Sequence, residues 1–381
     1  MHATSLQNPA EDPGVRHTRL QLIWGLLGQL WSWIVLAAIV FGGLSPRLRE
    51  AARHLTGGWL GTLGPYVVLL TALQWLFGAP VSFYRGYLIE HEFGLSNQDF
   101  WAWLGDAAKG LGVRIAISLV IVHLVYLIVR KSPRRWWVWS ATLVVVFTVV
   151  ISTLAPVVIT PLFNKFEPLQ DRELRQRVLE LAQRGGVEVS DVLEMDMSRQ
   201  TNAANAYFIG IGPTKRIVLA DTLLANFTPD EVLTVVAHEM GHQVHEDIWR
   251  AIAAGAVFFY FAFYVLYRIL DPVIRRFATR FGFSRLYDPA SLPLVLLLLG
   301  LIFFVAQPIQ NGYSRYIEHE ADRYALDITR QNEAYASALE KLGRLNVADP
   351  DPPAWMEFLF YSHPSEKKRI EFAQQYAPWK G

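Results

Sequence analysis

The chain contains no cysteine and few charged residues. Without cysteine it cannot form disulfide bonds, iron–sulfur clusters or thiolate zinc sites, so histidine and carboxylate side chains would have to hold any transition metal. Charged residues make up 18% of the sequence, whereas soluble proteins carry about 25%. The 35 basic and 34 acidic residues give a net charge of +1, which argues against a nucleic-acid partner. Internal repeats and low-complexity segments are also absent from the sequence.

Apolar side chains, in contrast, are abundant and account for 52% of the 381 residues. A helix needs about 20 apolar residues to cross the hydrocarbon core of a bilayer. A buried soluble helix could explain one such stretch but not six, and the sequence therefore predicts a multi-pass protein in a lipid bilayer. The first stretch could also be an uncleaved signal, but it is long and lacks a clear cleavage site, so we interpret it as an anchor. The six stretches are residues 20–43, 61–83, 113–129, 136–163, 252–270 and 292–309.

The polar segments between these stretches predict two domains. Residues 1–163 would form an N-terminal membrane domain with four spans, and residues 164–381 a second domain that includes the two further spans. Residues 164–250 are the one polar segment large enough to fold between spans. The predicted fold class is therefore mainly α: a multi-pass helical membrane protein with a small α+β domain.

Within the polar segment the pattern predicts a helix over 171–184 and a second helix that begins at Thr228. Thr228 is a suitable N-cap, because Pro229 and Glu231 follow at the first and third helical positions. The polar tail after residue 311 is predicted to be helical and broken by a loop at 350–353. Three strands are predicted at 187–195, 206–211 and 216–219.

The helix predicted after Thr228 carries the motif His-Glu-x-x-His at His238, Glu239 and His242. Residues four positions apart share one face of a helix, so both imidazoles can reach one metal ion, and zinc is the ion that this motif favours. Glu239 would lie beside the metal, where a carboxylate can take a proton from the attacking water and pass it to the leaving amine. Two structural histidines on a helix are the simpler alternative.

A catalytic zinc with three protein ligands needs one more than the motif supplies. His245 is a candidate, but it follows His242 by three residues at an unfavourable angle, so we interpret it as a surface residue or a neighbour of the ligands. Glu318 and Asp322 lie four residues apart after the sixth span. Glu318 can ligate the metal, and Asp322 can accept the free N–H of a ligating imidazole. His319 and Glu320 would point to other faces, and a solvated, charge-rich helix would explain the cluster equally well.

Several separated motifs resemble the type I CAAX prenyl proteases, integral-membrane zinc metallopeptidases related to the HtpX heat-shock proteases. The resemblance extends from about residue 24 to residue 370, in the family's order. It implies a gluzincin-type zinc protease domain and a ring of spanning helices around a water-filled chamber with the zinc at its wall. The matching segments, besides the His238 helix, are residues 84–96, 155–166, 205–208, 216–223, 314–322 and 361–370.

The resemblance also implies a role for individual residues around one zinc ion per chain. Glu318 would be the third zinc ligand, and Asp322 would be a second-sphere residue that supports the ligands through a hydrogen bond. His363 and Arg369 would lie near the zinc and stabilise the oxyanion, although His363 alone would suggest a buried histidine in a proline turn. Substrate binding is implied for two residues of an edge strand that pairs with an extended peptide, Asn205 and Ala206.

The chain departs from the eukaryotic members of the family in one respect. Six spans are predicted where those enzymes have seven, and the missing span is their first, which favours a bacterial member in the inner (cell) membrane. Loops 46–59, 130–135 and 268–285 carry twelve Lys or Arg residues, and the opposite side five outside the protease domain and tail. The positive-inside rule would then place the active site outside the cytoplasm, whereas the resemblance places it on the cytosolic side.

The sequence thus predicts a zinc-dependent metalloendopeptidase whose peptide or protein substrate, prenylated or not, enters a chamber within the membrane. Two substrate classes fit: C-terminal processing of lipid-modified peptides, and HtpX-like quality control of membrane proteins. Two alternatives without enzyme activity are a transporter or channel with a structural metal, and a degenerate family member that binds its partner but does not cleave it.

Overall fold

The computed structural model describes residues 12–210 and 214–380, and six of its helices are long and apolar enough to cross a membrane. Each overlaps one predicted stretch, which confirms the six spans. Most extend beyond the apolar stretch by one or more turns, because polar residues continue the helix past the hydrocarbon core. The six are Pro13–Phe41, Trp59–Glu92, Phe100–Lys131, Trp136–Leu162, Asp247–Phe281 and Pro289–Thr329.

The helices are numbered here in chain order. The third continues through a π-helical turn, Tyr84–Ile89, and a short segment, Glu90–Glu92. The helices are α1 Pro13–Phe41, α2 Leu44–Thr56, α3 Trp59–Phe83, α4 Phe100–Lys131, α5 Trp136–Leu154, α6 Arg172–Arg184, α7 Asp221–Asn226, α8 Pro229–Val244, α9 Asp247–Phe281, α10 Leu292–Thr329, α11 Asn332–Leu345, α12 Ala354–Phe360 and α13 Glu366–Gln375.

The six spanning helices close into a ring. Helix α1 packs on α3, α3 on α4, α4 on α5, α5 on α9, α9 on α10, and α10 returns to α1. Six touching cylinders leave a central space about as wide as one of them, roughly 10 Å for a helix. The ring therefore encloses a chamber, as the resemblance implied.

The two ends of this ring are built differently. At one end, which we call the packed end, α1 and α4 finish and α3, α5 and α10 begin, and both buried apolar clusters of the membrane region lie there. Phe41 of α1 packs edge-on against Phe277 and Phe281 of α9. Among the described residues, no third cluster of this kind lies at the opposite end of the ring, which we call the open end. The open end faces the polar domain.

The polar domain is built on a four-stranded sheet in the order β1-β2-β4-β3, with strands β1 Phe166–Pro168, β2 Asp191–Met195, β3 Ala206–Ile209 and β4 Arg216–Ala220. The β2–β4 pair is parallel and the other two pairs are antiparallel. All three predicted strands are confirmed, although β2 begins four residues later than predicted. Ile211, predicted as the end of β3, lies outside the described residues. Strand β1 was not predicted, because it has three residues and ends in a proline.

The sheet and helices α6, α8 and α11 share one apolar core, which also takes in the end of α10. Helix α6 confirms the predicted helix, with Asp171 as its N-cap accepting from the Leu174 amide at 3.0 Å. The loop between α11 and α12 confirms the predicted break at 350–353. The division into two domains at residue 163 stays a prediction. Because β3 is an edge strand next to α8, the motif helix lies beside a free sheet edge.

Candidate metal centre and active site

Helix α8 starts as the sequence predicts, with a capping box. The Thr228 amide donates to Glu231 Oε2 at 2.7 Å, and the Glu231 amide donates to Thr228 Oγ1 at 3.4 Å. Burial acts to raise the pKa of Glu231, but hydrogen bonds from Lys341 and Ser337 outweigh it and lower this pKa to about 2. The ionised Glu231 therefore ties the start of α8 to α11.

The middle of α8 lies very close to α10 because Gly241 has no side chain. A β-carbon at Gly241 would lie 2.9 Å from the Ala321 Cα, closer than packed atoms allow. The small pair Gly241 and Ala321 thus brings the two helix backbones together. This contact places Glu318 of α10 opposite His238 and His242 of α8.

These three residues form a group of ligand atoms that all lie within 4.8 Å of one another. The Glu318 carboxylate bridges the two imidazoles: Oε2 lies 3.2 Å from His238 Nε2 and Oε1 lies 3.6 Å from His242 Nε2. Tetrahedral zinc with bonds of about 2.0–2.2 Å places neighbouring ligand atoms about 3.3 Å apart. The predicted ligand set therefore has the spacing of a zinc site.

Two further observations show that the group fits a cation. Glu318 Oε2 is buried and accepts no hydrogen bond within the described residues. Burial alone would lower the pKa of His238, but the carboxylates of Asp322 and Glu318 raise it to about 9. The side chains thus carry an excess of negative charge and an unused oxygen lone pair, and a divalent cation would satisfy both.

The imidazole tautomers are fixed by carboxylates on the far side of each ring. His238 Nδ1 lies 2.9 Å from Asp322 Oδ1, and His242 Nδ1 lies 3.0 Å from Asp247 Oδ2. Each Nδ1–H donates to its carboxylate, which leaves each Nε2 lone pair directed at the shared centre. The position of Asp322 agrees with the sequence prediction. Asp247 was missed, although it follows the motif by only five residues.

Asp322 is held in turn by Tyr335 and Arg369. The Tyr335 hydroxyl donates to Asp322 Oδ1 at 2.5 Å and lies 3.1 Å from His238 Nδ1. Arg369 forks the same carboxylate, with Nη2 to Oδ1 at 2.6 Å and Nε to Oδ2 at 2.9 Å. Arg369 therefore lies near the metal ligands, as the resemblance implies, but its hydrogen bonds are directed at Asp322. Tyr335 was missed, since nothing in the sequence of α11 links it to the motif.

His363 approaches the centre from the loop after α12. Its Nε2 lies 3.3 Å from Glu318 Oε1, and its Nδ1 lies 2.9 Å from Ser362 Oγ. The side chain is 56% exposed, so the alternative interpretation as a buried histidine is wrong. An imidazole on the open side of the ligands can reach a group bound there.

Glu239 and the sheet edge line one cleft beside these ligands. The cleft has a volume of about 360 Å³ and also includes Asn205, Ala206 and His363. Burial in this cleft raises the pKa of the Glu239 carboxyl, and the histidines beside it act in the opposite direction. A carboxylate with a raised pKa is a stronger base toward a water molecule.

One edge of strand β3 faces this cleft, and the side chains of two asparagines accept hydrogen bonds from amides at that edge. The Ala206 amide donates to Asn205 Oδ1 at 2.9 Å, and the Ala204 amide donates to Asn346 Oδ1 at 3.1 Å. Asn346 lines the cleft as well. An extended peptide that pairs with β3 would replace these side-chain acceptors by its own carbonyl oxygens.

The residues that the sequence placed away from the metal are indeed elsewhere. His245 caps the end of α8 and its ring packs against Tyr324. His319 packs on Phe372, and Glu320 pairs with Arg250 at 2.8 Å. None of these three belongs to the group of ligand atoms found among the described residues.

Two family models together match nearly the whole chain. Peptidase family M48 matches residues 168–377. The N-terminal region of CAAX prenyl proteases, characterised by five membrane helices, matches residues 15–165. The described part of that second range contains four candidate spans.

Individual proteins show the same relationship. YhfN, an uncharacterized metalloprotease of Bacillus subtilis (strain 168), is 31% identical over 92% of this chain and 82% of its own length. CAAX prenyl protease 1 of Saccharomyces cerevisiae is 29% identical over 80% of this chain and 70% of its own length. The crystal structure of S. mikatae Ste24p superposes with a TM-score of 0.85 at 25% identity, covering 98% of this chain and 93% of that one.

The family is one of membrane metalloendopeptidases that use zinc, which rules out the transporter or channel with a structural metal. The metal group, the cleft beside it and the ring of spanning helices agree with the family matches. The chain belongs to peptidase family M48, in its CAAX prenyl protease branch.

Proposed function

We propose that His238, His242 and Glu318 hold the zinc of this endopeptidase and that Glu239 is its general base. The observation that carries this assignment is the convergence of three ligand atoms within 4.8 Å, with Glu239 in the adjoining cleft. Zinc bound there would polarise the scissile carbonyl and acidify a water molecule. Asp322 and Asp247 would keep both imidazoles in the ligating tautomer.

The other residues of the cleft would bind the peptide and move protons. The amides of Ala204 and Ala206 on the β3 edge would hold the extended substrate backbone, with Asn205 releasing its own hydrogen bond. Glu239 would accept the proton of the attacking water and deliver it to the leaving amine. His363, on the open side of the ligands, would donate a hydrogen bond to the developing oxyanion. Arg369 would act through Asp322 by holding it against His238.

The substrates we propose are peptides or unfolded segments that enter the chamber within the helix ring, and processing near a C-terminus is the first candidate. The name CAAX prenyl protease, carried by the yeast relative, supports this choice. Removal of misfolded membrane segments is the second candidate. Cleavage rates of a farnesylated peptide, its unmodified form and a misfolded membrane substrate would decide between the two.

We propose further that the membrane is the cell membrane of a bacterium. The Bacillus relative and the six-span architecture support this location. The active site can face either the cytoplasm or the outside, and in both orientations α8 and Glu318 lie on the same side of the membrane. Labelling of the basic turn at residues 131–135 with a reagent that cannot cross the membrane would decide which side that is.

The assignment is tested by metal analysis and peptide cleavage on Glu239→Gln. Because Glu239 is not a ligand, the variant should bind one zinc per chain like the wild type. Because it lacks the base, it should lose at least about a thousandfold in kcat on casein or a prenylated peptide. Glu188→Gln, an exposed change outside the cleft, is the matched control and should retain wild-type kcat. Cleavage by Glu239→Gln at the normal rate would refute the assignment.

A further inference from the structure

The membrane region contains a second cavity, which the zinc chemistry does not use. It has a volume of about 660 Å³ and lies along α1 and α3, with one residue contributed by α4. Its apolar part includes Trp31 and Phe77. Its polar part includes two arginines, Arg85 at the π-helical end of α3 and Arg114 within α4.

This cavity lies on the inner side of the helix ring. In the ring α3 stands between α1 and α4. On the outer surface of a ring the first and third of three neighbouring helices diverge, and on the inner surface they approach each other. A cavity lined by residues of α1 and of α4 is therefore on the inside. Arg114 on the outer face would instead meet lipid, which is costly for a charge within a span.

The cavity carries an excess of positive charge. Arg85 Nε donates to Gln21 Oε1 at 3.1 Å, but its two terminal nitrogens make no hydrogen bond within the described residues. Arg114 has no ion pair or hydrogen bond of its side chain there either. The carboxylate that shares the cavity, Glu90, already accepts from Gln21 Nε2 at 2.5 Å and faces His17 Nε2 at 3.4 Å.

Two guanidinium groups that line one cavity and have N–H donors unused within the described residues form a site for an oxyanion. Guanidinium binds a carboxylate or a phosphate through paired, charge-assisted hydrogen bonds. Charged residues within spans are functional sites by default, since their desolvation has to be offset by a ligand or a partner. The side chain of Arg114 has no structural partner among the described residues, so its guanidinium is available to a ligand.

The cavity and the active-site cleft both adjoin the start of α1. His17, which faces Glu90, also places its Nδ1 3.0 Å from the Val347 carbonyl oxygen. The neighbouring Ala348 and Asp349 line the cleft, and the Asp349 amide donates to Thr18 Oγ1 at 3.0 Å. Arg85 lies five residues before Glu90, about 7.5 Å along the helix. An extended peptide covers about 3.3 Å per residue, so about two residues cover the length from Arg85 to Glu90.

We propose that Arg85 and Arg114 bind the free α-carboxylate of the peptide substrate, with the apolar walls at Trp31 and Phe77 receiving its last side chains. The proposal rests on the peptidase function above and adds the feature by which the chamber recognises a C-terminus. The α-carboxylate is the one anion that every linear peptide carries, and it can reach the inner face of the ring. An anionic lipid headgroup would need access from the bilayer, which is on the other side of the wall.

The test compares one peptide as its C-terminal acid and as its C-terminal amide, with wild type and Arg114→Gln in nanodiscs of zwitterionic lipid. Wild type should cleave the acid with a kcat/KM about tenfold above that of the amide, the effect of one charge-assisted interaction. Arg114→Gln should remove most of this preference by lowering kcat/KM for the acid, through KM and not kcat, and Arg85 should retain the remainder. The substitution should leave cleavage of the amide unchanged.

Two further variants complete the design. Arg114→Lys keeps the charge and should retain most of the preference for the acid. Arg276→Gln removes an exposed positive charge from α9 toward the packed end and should behave as wild type.

Equal cleavage of acid and amide by the wild type would overturn the proposal, and so would an equal loss on both peptides in Arg114→Gln. Failure of the wild type to cleave either peptide would instead count against the peptidase assignment. The same measurements in nanodiscs that contain anionic lipid test whether a lipid headgroup, and not the peptide carboxylate, is the anion that the cavity binds. If Arg114→Gln altered only the dependence on anionic lipid, the cavity would be a lipid site and the proposal would be wrong.

Discussion

The two ends of the helix ring are made of the same six helices and have opposite characters. At the packed end, side chains such as Tyr66 and Ala141 are completely buried. Two pairs of buried polar groups there bond each other: the Tyr66 hydroxyl and Ser45 at 2.7 Å, and the Tyr126 hydroxyl and Ser291 at 2.8 Å. Toward the open end the helices separate around space, and the side chain of Arg114, which lines that space, has no partner within residues 12–210 and 214–380.

This difference indicates that the two ends of each spanning helix have different roles. The packed end holds the ring together, because close van der Waals packing and satisfied hydrogen bonds are what stabilise the association of helices in a membrane. The open end gives up such packing so that a peptide and water can reach the zinc. Sites that bind ligands are commonly the less stable parts of a protein for this reason.

A matched pair of aromatic substitutions tests this difference in roles most strongly. Tyr66→Ala at the packed end removes a buried ring and should cost about 3–5 kcal/mol of stability. Phe77→Ala, in the inner cavity beyond the packed end, truncates a side chain that is 42% exposed, and its cost should be below about 1 kcal/mol. Thermal unfolding in one detergent measures both changes. Equal destabilisation by the two substitutions would show that the ends are packed alike.

A smaller effect is expected from a polar group at the open end, Asp247. Asp247→Asn weakens the acceptor of His242 Nδ1–H, and zinc affinity should fall by about 10–100-fold. Added zinc should restore activity, and competition with a chelator measures the affinity. Asp271→Asn, an exposed change on the same helix toward the packed end, should leave zinc affinity unchanged. If both variants bound zinc like the wild type, Asp247 would have no role in the site.

Much of the site could be predicted because its parts repeat at helical spacing. His238 and His242, and likewise Glu318 and Asp322, lie four residues apart, so each pair shares a face whatever the rest of the chain does. The six spans were predictable for a similar reason, since length and apolar composition alone define them. The capping box at Thr228 could be predicted too, because all its residues lie within four positions of the sequence.

What could not be predicted depends on where separate elements meet. Asp247 reaches His242 because Glu246 adopts a left-handed conformation, φ 54°, that turns the chain between α8 and α9. Tyr335 reaches His238 from α11, 97 residues away in sequence. The cavity with Arg85 and Arg114 exists only once α1, α3 and α4 are neighbours in the ring. Spacing within one helix carries none of this information.

The chamber at the open end is tested most directly by thiol accessibility, and the absence of native cysteine makes every introduced thiol the only one. Ser82→Cys places it at an exposed position of the inner cavity, and Ser140→Cys places it at a fully buried position of the packed end. In nanodiscs, a small charged thiol reagent should modify Ser82→Cys rapidly and Ser140→Cys at least about a hundredfold more slowly. Equal protection of both thiols would contradict a water-filled chamber leading to the zinc.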